Sequence, residues 1–131
     1  MNEHSSRAHS VFTIYVESKS RAESTEKVIH SKLHLVDLAG NERTKKHDEA
    51  ERIKEANYIN KSLSFLEQVV VASCDHKKDH VPYRQSKLTN LLKNSIGGNC
   101  LTVMIANIWP EEPYLEETIS TLKFASRMMK V

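Results

Sequence analysis

Hydrophobic and polar positions repeat with two different periods along this 131-residue chain, and the changes of period mark out its elements. Residues 10–17 (SVFTIYVE) are rich in β-branched and aromatic side chains, and Phe12, Ile14 and Val16 share one face, which predicts a strand. Over residues 28–38, Ile29, Leu33 and Leu35 oppose His30, Lys32 and His34, the period-two signature of a second strand. The charged connection 18–27 joins the two as a hairpin. Residues 39–48 (AGNERTKKHD) have no periodicity and predict a loop. A long helix over about 49–73 follows, because Ala56, Ile59, Leu63, Leu66 and Val70 recur at alternating spacings of three and four.

The second half continues the pattern with shorter pieces. Residues 74–85 (CDHKKDHVPYRQ) contain Pro82 among basic side chains and predict an exposed basic loop. Ser86 suits the N-cap of a short helix ending at Gly97 and Gly98, with Leu88, Leu91 and Leu92 on its buried side. Residues 100–108 (CLTVMIANI) are almost continuously apolar, as a strand covered on both faces would be. Trp109 and Pro110 break that run. After Pro113, Leu115, Ile119, Leu122, Ala125 and Met129 predict a final amphipathic helix.

Composition narrows the class without naming it. A chain of this length supports one core, and 39% hydrophobic residues with three glycines is a globular rather than a disordered composition. The net charge of +2 is too mild to argue for nucleic acid. No apolar run approaches the ~20 residues of a membrane span, so neither nucleic acid nor membrane is an expected partner. Cys74 and Cys100 stand without a second pair, which gives neither a disulfide framework nor a four-thiolate zinc site and suggests a reducing, intracellular setting. The pairs His30/His34 and His76/His80 fall on a strand and a loop rather than a helix, so no structural metal is expected. Charge is nevertheless uneven. Lys77, Lys78, Arg84, Lys87 and Lys93 gather against Asp79, whereas residues 110–118 carry Glu111, Glu112, Glu116 and Glu117 and no base. One face should be positive.

Two polar signatures flank the predicted hairpin, NEHSSRAH at residues 2–9 and DLAGNE at residues 37–42. Both suit the surroundings of a nucleoside triphosphate. An Asp at the end of a buried strand holds magnesium through water, and a Gly three residues later lets a backbone N–H approach the terminal phosphate. Paired serines offer hydroxyls to metal and phosphate, and an Arg and a Glu on opposing loops can lock those loops together. Asp-x-x-Gly alone is a common turn, and Ser-Ser-Arg alone is weaker still.

The order of the motifs is more specific than any one of them. NEHSSRAH resembles the first switch of the kinesin motor domain, VDLAGNE its second switch and EANYINKSLSFLEQ its relay helix. HVPYRQSKLTNLLKNSIGGNC is similar to the basic loop, helix and turn of the microtubule face, and EETISTLKFASR to the last helix. The resemblance covers nearly the whole chain and implies an α/β fold, a partial kinesin-type P-loop NTPase motor lacking the N-terminal half of its sheet. On that reading residues 1–131 are the C-terminal half of the motor domain: switch I at 2–9, switch II at 37–42, relay helix about 49–73, microtubule-facing loop and helix 74–96, last strand 100–108 and last helix 114–130. The wording of SFLEQVVVA and FASRMMKV is similar to the ninth kinesin subfamily, associated with cilia and flagella. The resemblance thus implies a cytoplasmic, cytoskeletal protein of a cilium or flagellum.

Position by position, the resemblance implies that Ser6 reaches Mg2+, Ser5 the terminal phosphate of ATP, Asp37 the metal's water shell and Gly40 the terminal phosphate through its N–H. Arg7 and Glu42 would pair across the switches when ATP is bound, and Asn2 would support the first loop. Lys61, Arg84 and Lys87 would point at the acidic surface of tubulin, so microtubules are the expected partner. The sequence departs from the family at Ala8 and Asn41, where serines are usual, at Asn90, where Arg is common, and in a glycine-free segment after Glu42. The phosphate loop G-x-x-x-x-G-K-[ST] does not occur in these residues. The chain is therefore expected to be a truncated piece of an ATP-dependent microtubule motor, without ATPase activity by itself. The alternatives are a non-catalytic microtubule-binding module or a decayed fragment.

Overall fold

The structure, a computed structural model, describes residues 7–21, 27–40, 50–75 and 80–131, and in its longest helix the side chains from residue 53 onward. The chain divides into two compact units, residues 1–40 and 41–131, each described by itself.

The first unit is the predicted hairpin. Strand β1 (Ser10–Lys19) pairs antiparallel with β2 (Val28–Asp37), so the first strand runs two residues past its expected end. Phe12 stands opposite Leu35, Ile14 opposite Leu33 and Ser18 opposite Ile29, which places the apolar sets of both strands on one face. A slip of one residue would scatter them over both faces, so the pattern excludes such a slip. Cross-strand pairs on the other face agree with it. The Thr13 hydroxyl lies 2.8 Å from His34 Nδ1, the Lys32 ammonium sits 5.3 Å from the centre of the Tyr15 ring, and His30 lies 3.4 Å from Glu17. Both histidines of the 30/34 pair thus have partners across the ladder. The apolar face is open: Phe12, Ile14, Leu33 and Leu35 are all exposed.

The second unit is built on helix α1 (Ala50–Cys74). Its predicted stripe is only half-buried at Ala56, Ile59 and Leu63, and becomes core at Leu66, Val69, Val70 and Ala72. There α1 meets helix α2 (Lys87–Leu91), whose Leu88 is buried together with Leu92 and Ile96 of the following turn. Val69 and Val70 are 0% exposed, and each buried side chain of this size contributes about 1.5–3 kcal/mol relative to an exposed one.

Helix α2 starts where Ser86 predicts. Ser86 adopts an extended backbone and its hydroxyl accepts the Thr89 N–H at 3.0 Å, while the Ser86 N–H donates to Thr89 Oγ1 at 3.1 Å, a reciprocal capping box. Thr89 is 0% exposed, and its hydroxyl proton points at the carbonyls of Tyr83 (2.8 Å) and Ser86 (3.0 Å). This ties α2 to the 3-10 turn Tyr83–Gln85, and the Tyr83 hydroxyl in turn donates to the Ile96 carbonyl at 2.7 Å. The helix stops at Leu91 and continues as turns, short of the predicted glycines. Leu91, predicted to be buried, is exposed. With about 100° of rotation per residue, burial of Thr89 beside Leu88 turns the covered arc away from Leu91. Gly97 has φ +70°, and a Cβ there would lie 3.0 Å from Ser73 Oγ, so the chain's turn at this point suits glycine alone.

The apolar run at 100–108 is the main departure from the predicted elements. Among the described residues it pairs with no strand, and Leu101, Val103 and Ile105 are 94%, 79% and 83% exposed. The composition is that of a covered strand, but a strand exists only where a neighbour completes its ladder, and β1 and β2 pair with each other alone. Beyond it, the Trp109 and Tyr114 rings pack 5.5 Å apart, and Thr118 Oγ1 donates to the Trp109 carbonyl at 2.9 Å. Helix α3 (Leu115–Met128) follows the 3-10 turn Glu112–Tyr114. It meets α1 through an ion pair of Arg127 with Glu67 and a contact of the Cys74 thiol with the Arg127 carbonyl at 3.4 Å. Phe124, Ala125 and Met128 are half-buried, whereas Leu115, Ile119, Leu122 and Met129 of the predicted stripe stay exposed.

Thr89→Val keeps the shape of the side chain but strands the Ser86 N–H and the Tyr83 carbonyl. It is expected to lower stability by about 1–3 kcal/mol. Chemical denaturation followed by helical circular dichroism measures this, and Asn90→Ala on the exposed side of α2 serves as the neutral comparison.

Candidate functional site

The open end of the hairpin ladder places residues 7–9 beside residues 38–40. Ser10 pairs with Asp37 as the outermost rung, so residues before β1 and after β2 leave the sheet at the same end. One further bond extends the pairing beyond the strands: the buried Ala39 donates its N–H to His9 Nδ1 at 3.0 Å. A nitrogen that accepts this bond carries no proton. Burial also holds the His9 pKa below its ordinary 6.5, because desolvation penalises the charged imidazolium. Arg7 is exposed two residues before His9, Asp37 is exposed at the end of β2, and Gly40 is half-exposed after Ala39. Asn2, Ser5, Ser6 and Glu42 lie outside the described residues, and the expected Arg7–Glu42 pair lies outside them with Glu42.

The basic surface belongs to the second unit. Lys61 is exposed on α1 and its ammonium rests 5.7 Å from the centre of the Phe65 ring. Arg84 on the 3-10 turn and Lys87 at the first position of α2 are both exposed. Together with Tyr58 of α1, Gln85, Ser86 and Asn90 they line one shallow, open depression. The Ser86–Thr89 capping box holds this stretch from beneath, so Arg84 and Lys87 sit on a backbone fixed by buried hydrogen bonds. Sequence reasoning missed two members of this arrangement. Thr89 was legible as the fourth residue of an S-x-x-T box, a Thr in the place usually held by Glu or Gln. Tyr58 carried no signal, since nothing in the periodicity says that an aromatic one turn before Lys61 would be left uncovered.

The sequence matches the Kinesin motor domain model over residues 1–131. The chain belongs to the kinesin motor domain family. It is 58% identical over 132 aligned residues to the human kinesin-like protein KIF9, covering all of this chain and 17% of that relative. Solved kinesin structures share its fold. The C-terminal motor and motor homology domain of Kar3Vik1 matches with a TM-score of 0.84 at 42% identity, over 97% of this chain and 34% of that one. A KIF14 dimer with AMP-PNP, in complex with a microtubule, matches with a TM-score of 0.82 at 43% identity, over 93% of this chain and 36% of that one. The chain therefore spans about a sixth of the KIF9 relative and about a third of these solved kinesin chains. A kinesin motor fold accounts for the partial α/β architecture, with a two-stranded sheet and three helices among the described residues.

The His9–Ala39 bond has a pH dependence whose sign follows from its chemistry. The unfolded His9 titrates near its ordinary value and the folded one below it, so the unfolded state binds more protons between the two. The bond's contribution is complete above the unfolded pKa and is lost as pH falls through the folded one. Hydrogen exchange at the Ala39 amide is expected to lose protection as pH falls below the ordinary 6.5 and through the lowered pKa of folded His9. In His9→Phe, which removes the acceptor, protection should be low across the whole range.

Proposed function

We propose that this chain supplies the nucleotide-sensing switches and the microtubule-binding face of an ATP-driven kinesin motor. The observation that carries the reading is the basic surface: Arg84 and Lys87 are exposed together in one depression, on a stretch pinned by Thr89. A related kinesin has been solved in complex with a microtubule, which supports the assignment of such a face to tubulin. Arg84 and Lys87, with Lys61 from α1, would meet the acidic tubulin surface and speed encounter by long-range attraction.

At the hairpin end, Ser5, Ser6, Asp37 and Gly40 would take the phosphate and metal side of the nucleotide. Asp37 is an exposed carboxylate, the hard oxygen donor that magnesium prefers, and Gly40 carries no side chain to block a phosphate. Magnesium bound to ATP would neutralise charge on the phosphates during transfer to water. Arg7 and Glu42 would close the two switches on each other, with Asn2 supporting the first, and His9 would hold Ala39 so that Gly40 follows from a fixed point. None of these groups is a covalent nucleophile, so they would act by positioning and by electrostatic stabilisation.

The phosphate cradle must come from residues other than these 131, because their sequence contains no G-x-x-x-x-G-K-[ST]. The second reading, a non-catalytic microtubule-binding module, is favoured by that same observation and keeps the basic face. Membership of the kinesin family supports a cytoskeletal setting, and the wording of the relay and last helices, similar to the ninth kinesin subfamily, supports a cilium or flagellum.

Co-sedimentation with polymerised tubulin tests the face. Arg84→Glu with Lys87→Glu should weaken binding by about tenfold or more, near 1.4 kcal/mol, and binding should fall as salt rises. Lys19→Glu with Arg21→Glu on the hairpin should leave it unchanged, and the opposite outcome would place the face elsewhere. Supplied alone, the chain should hydrolyse ATP no faster than background with or without microtubules; stimulated turnover would contradict the assignment of the cradle to other residues.

A further inference from the structure

Tyr58 is the least expected member of the basic depression. It is 72% exposed on α1, one turn before Lys61. The ring therefore has no part in the core that holds the two helices together. A large aromatic left in water is unremarkable when it stands alone, but this one lines the same depression as Arg84, Lys87 and Asn90. Tyr and Arg are the residue types that dominate the energy of protein interfaces, since each offers a broad apolar body with a directed polar tip. The charged members of the depression steer and orient, and their contacts are screened by salt. An aromatic ring contributes instead by burying area, which salt does not screen.

We propose that Tyr58 is the apolar anchor of the microtubule-binding face, its ring buried against tubulin. The inference rests on the proposed reading of Arg84 and Lys87 as tubulin-facing, and adds a contact that charge alone does not supply. The partner is a protein surface carrying carboxylates beside apolar area; a free anion such as phosphate would engage Arg84 and Lys87 without needing the ring.

The test compares Tyr58→Ala, Tyr58→Phe and the double variant Arg84→Glu/Lys87→Glu in the full chain, by co-sedimentation with polymerised tubulin across a series of salt concentrations. Tyr58→Ala should weaken binding about tenfold or more at every salt concentration, with the salt slope unchanged. Tyr58→Phe, which keeps the ring, should stay within about threefold of the unaltered chain. The double variant should instead flatten the salt slope. If Tyr58→Ala binds like the unaltered chain while the double variant is weakened, the anchor is disproved and the basic face stands. If neither variant is weakened, the basic face falls and the anchor with it. Helical circular dichroism separates binding from folding. Should Tyr58→Ala lose helix, Tyr58→Gln replaces it, and normal binding by a folded Tyr58→Gln overturns the proposal.

Discussion

The buried hydroxyl of Thr89 is the constraint on which the functional surface depends. It closes a reciprocal cap with Ser86 and reaches back to the Tyr83 carbonyl, so the 3-10 turn and α2 form one unit although α2 has only five residues. A helix that short has little stability of its own. It persists because its Leu88, with Leu92 and Ile96, packs in the core against α1, and because the buried Thr89 hydroxyl finds partners in Ser86 and Tyr83. Lys87 and Arg84 ride on the outer side of that knot. In the proposed tubulin contact, a backbone held by these bonds would lower the ordering penalty on binding.

Other apolar surface is left open. The hairpin exposes Phe12, Ile14, Leu33 and Leu35 on one face, and residues 100–108 expose Leu101, Val103 and Ile105. At about 25 cal/mol per Å2 such surface strongly favours association, and an unpaired strand-like segment also offers backbone groups that seek a ladder. Each unit presents such surface by itself, as a partial kinesin motor fold does. The solved kinesin chains that match this one are about three times its length, so there is material in the family to complete it.

Much of this was legible in the sequence, and the failures have one physical origin. The hairpin followed from period two, and its register agrees with that pattern, because a slip of one residue would put Phe12 and Ile14 on the face opposite Leu33 and Leu35. Helix α1 followed from its stripe to within a residue at either end. The run at 100–108 was read correctly as apolar, but cover on both faces was inferred where none lies among the described residues. Periodicity reports what a segment is able to bury, not whether anything covers it. For the site, Arg84 and Lys87 were visible as charges on a capped helix, whereas Tyr58 joined them only through packing between elements that sequence spacing does not relate. The His9–Ala39 bond was equally hidden, since it spans the hairpin.

The central claim is that the surface organised by Thr89 is where this kinesin segment meets its track. Hydrogen exchange of the chain with and without polymerised tubulin tests it without altering any residue. The account predicts added protection at Tyr83–Gln85, in α2 and around Tyr58 and Lys61 of α1, with the β1–β2 ladder unchanged. Protection that appears on the hairpin while the α1–α2 surface exchanges as before would contradict it.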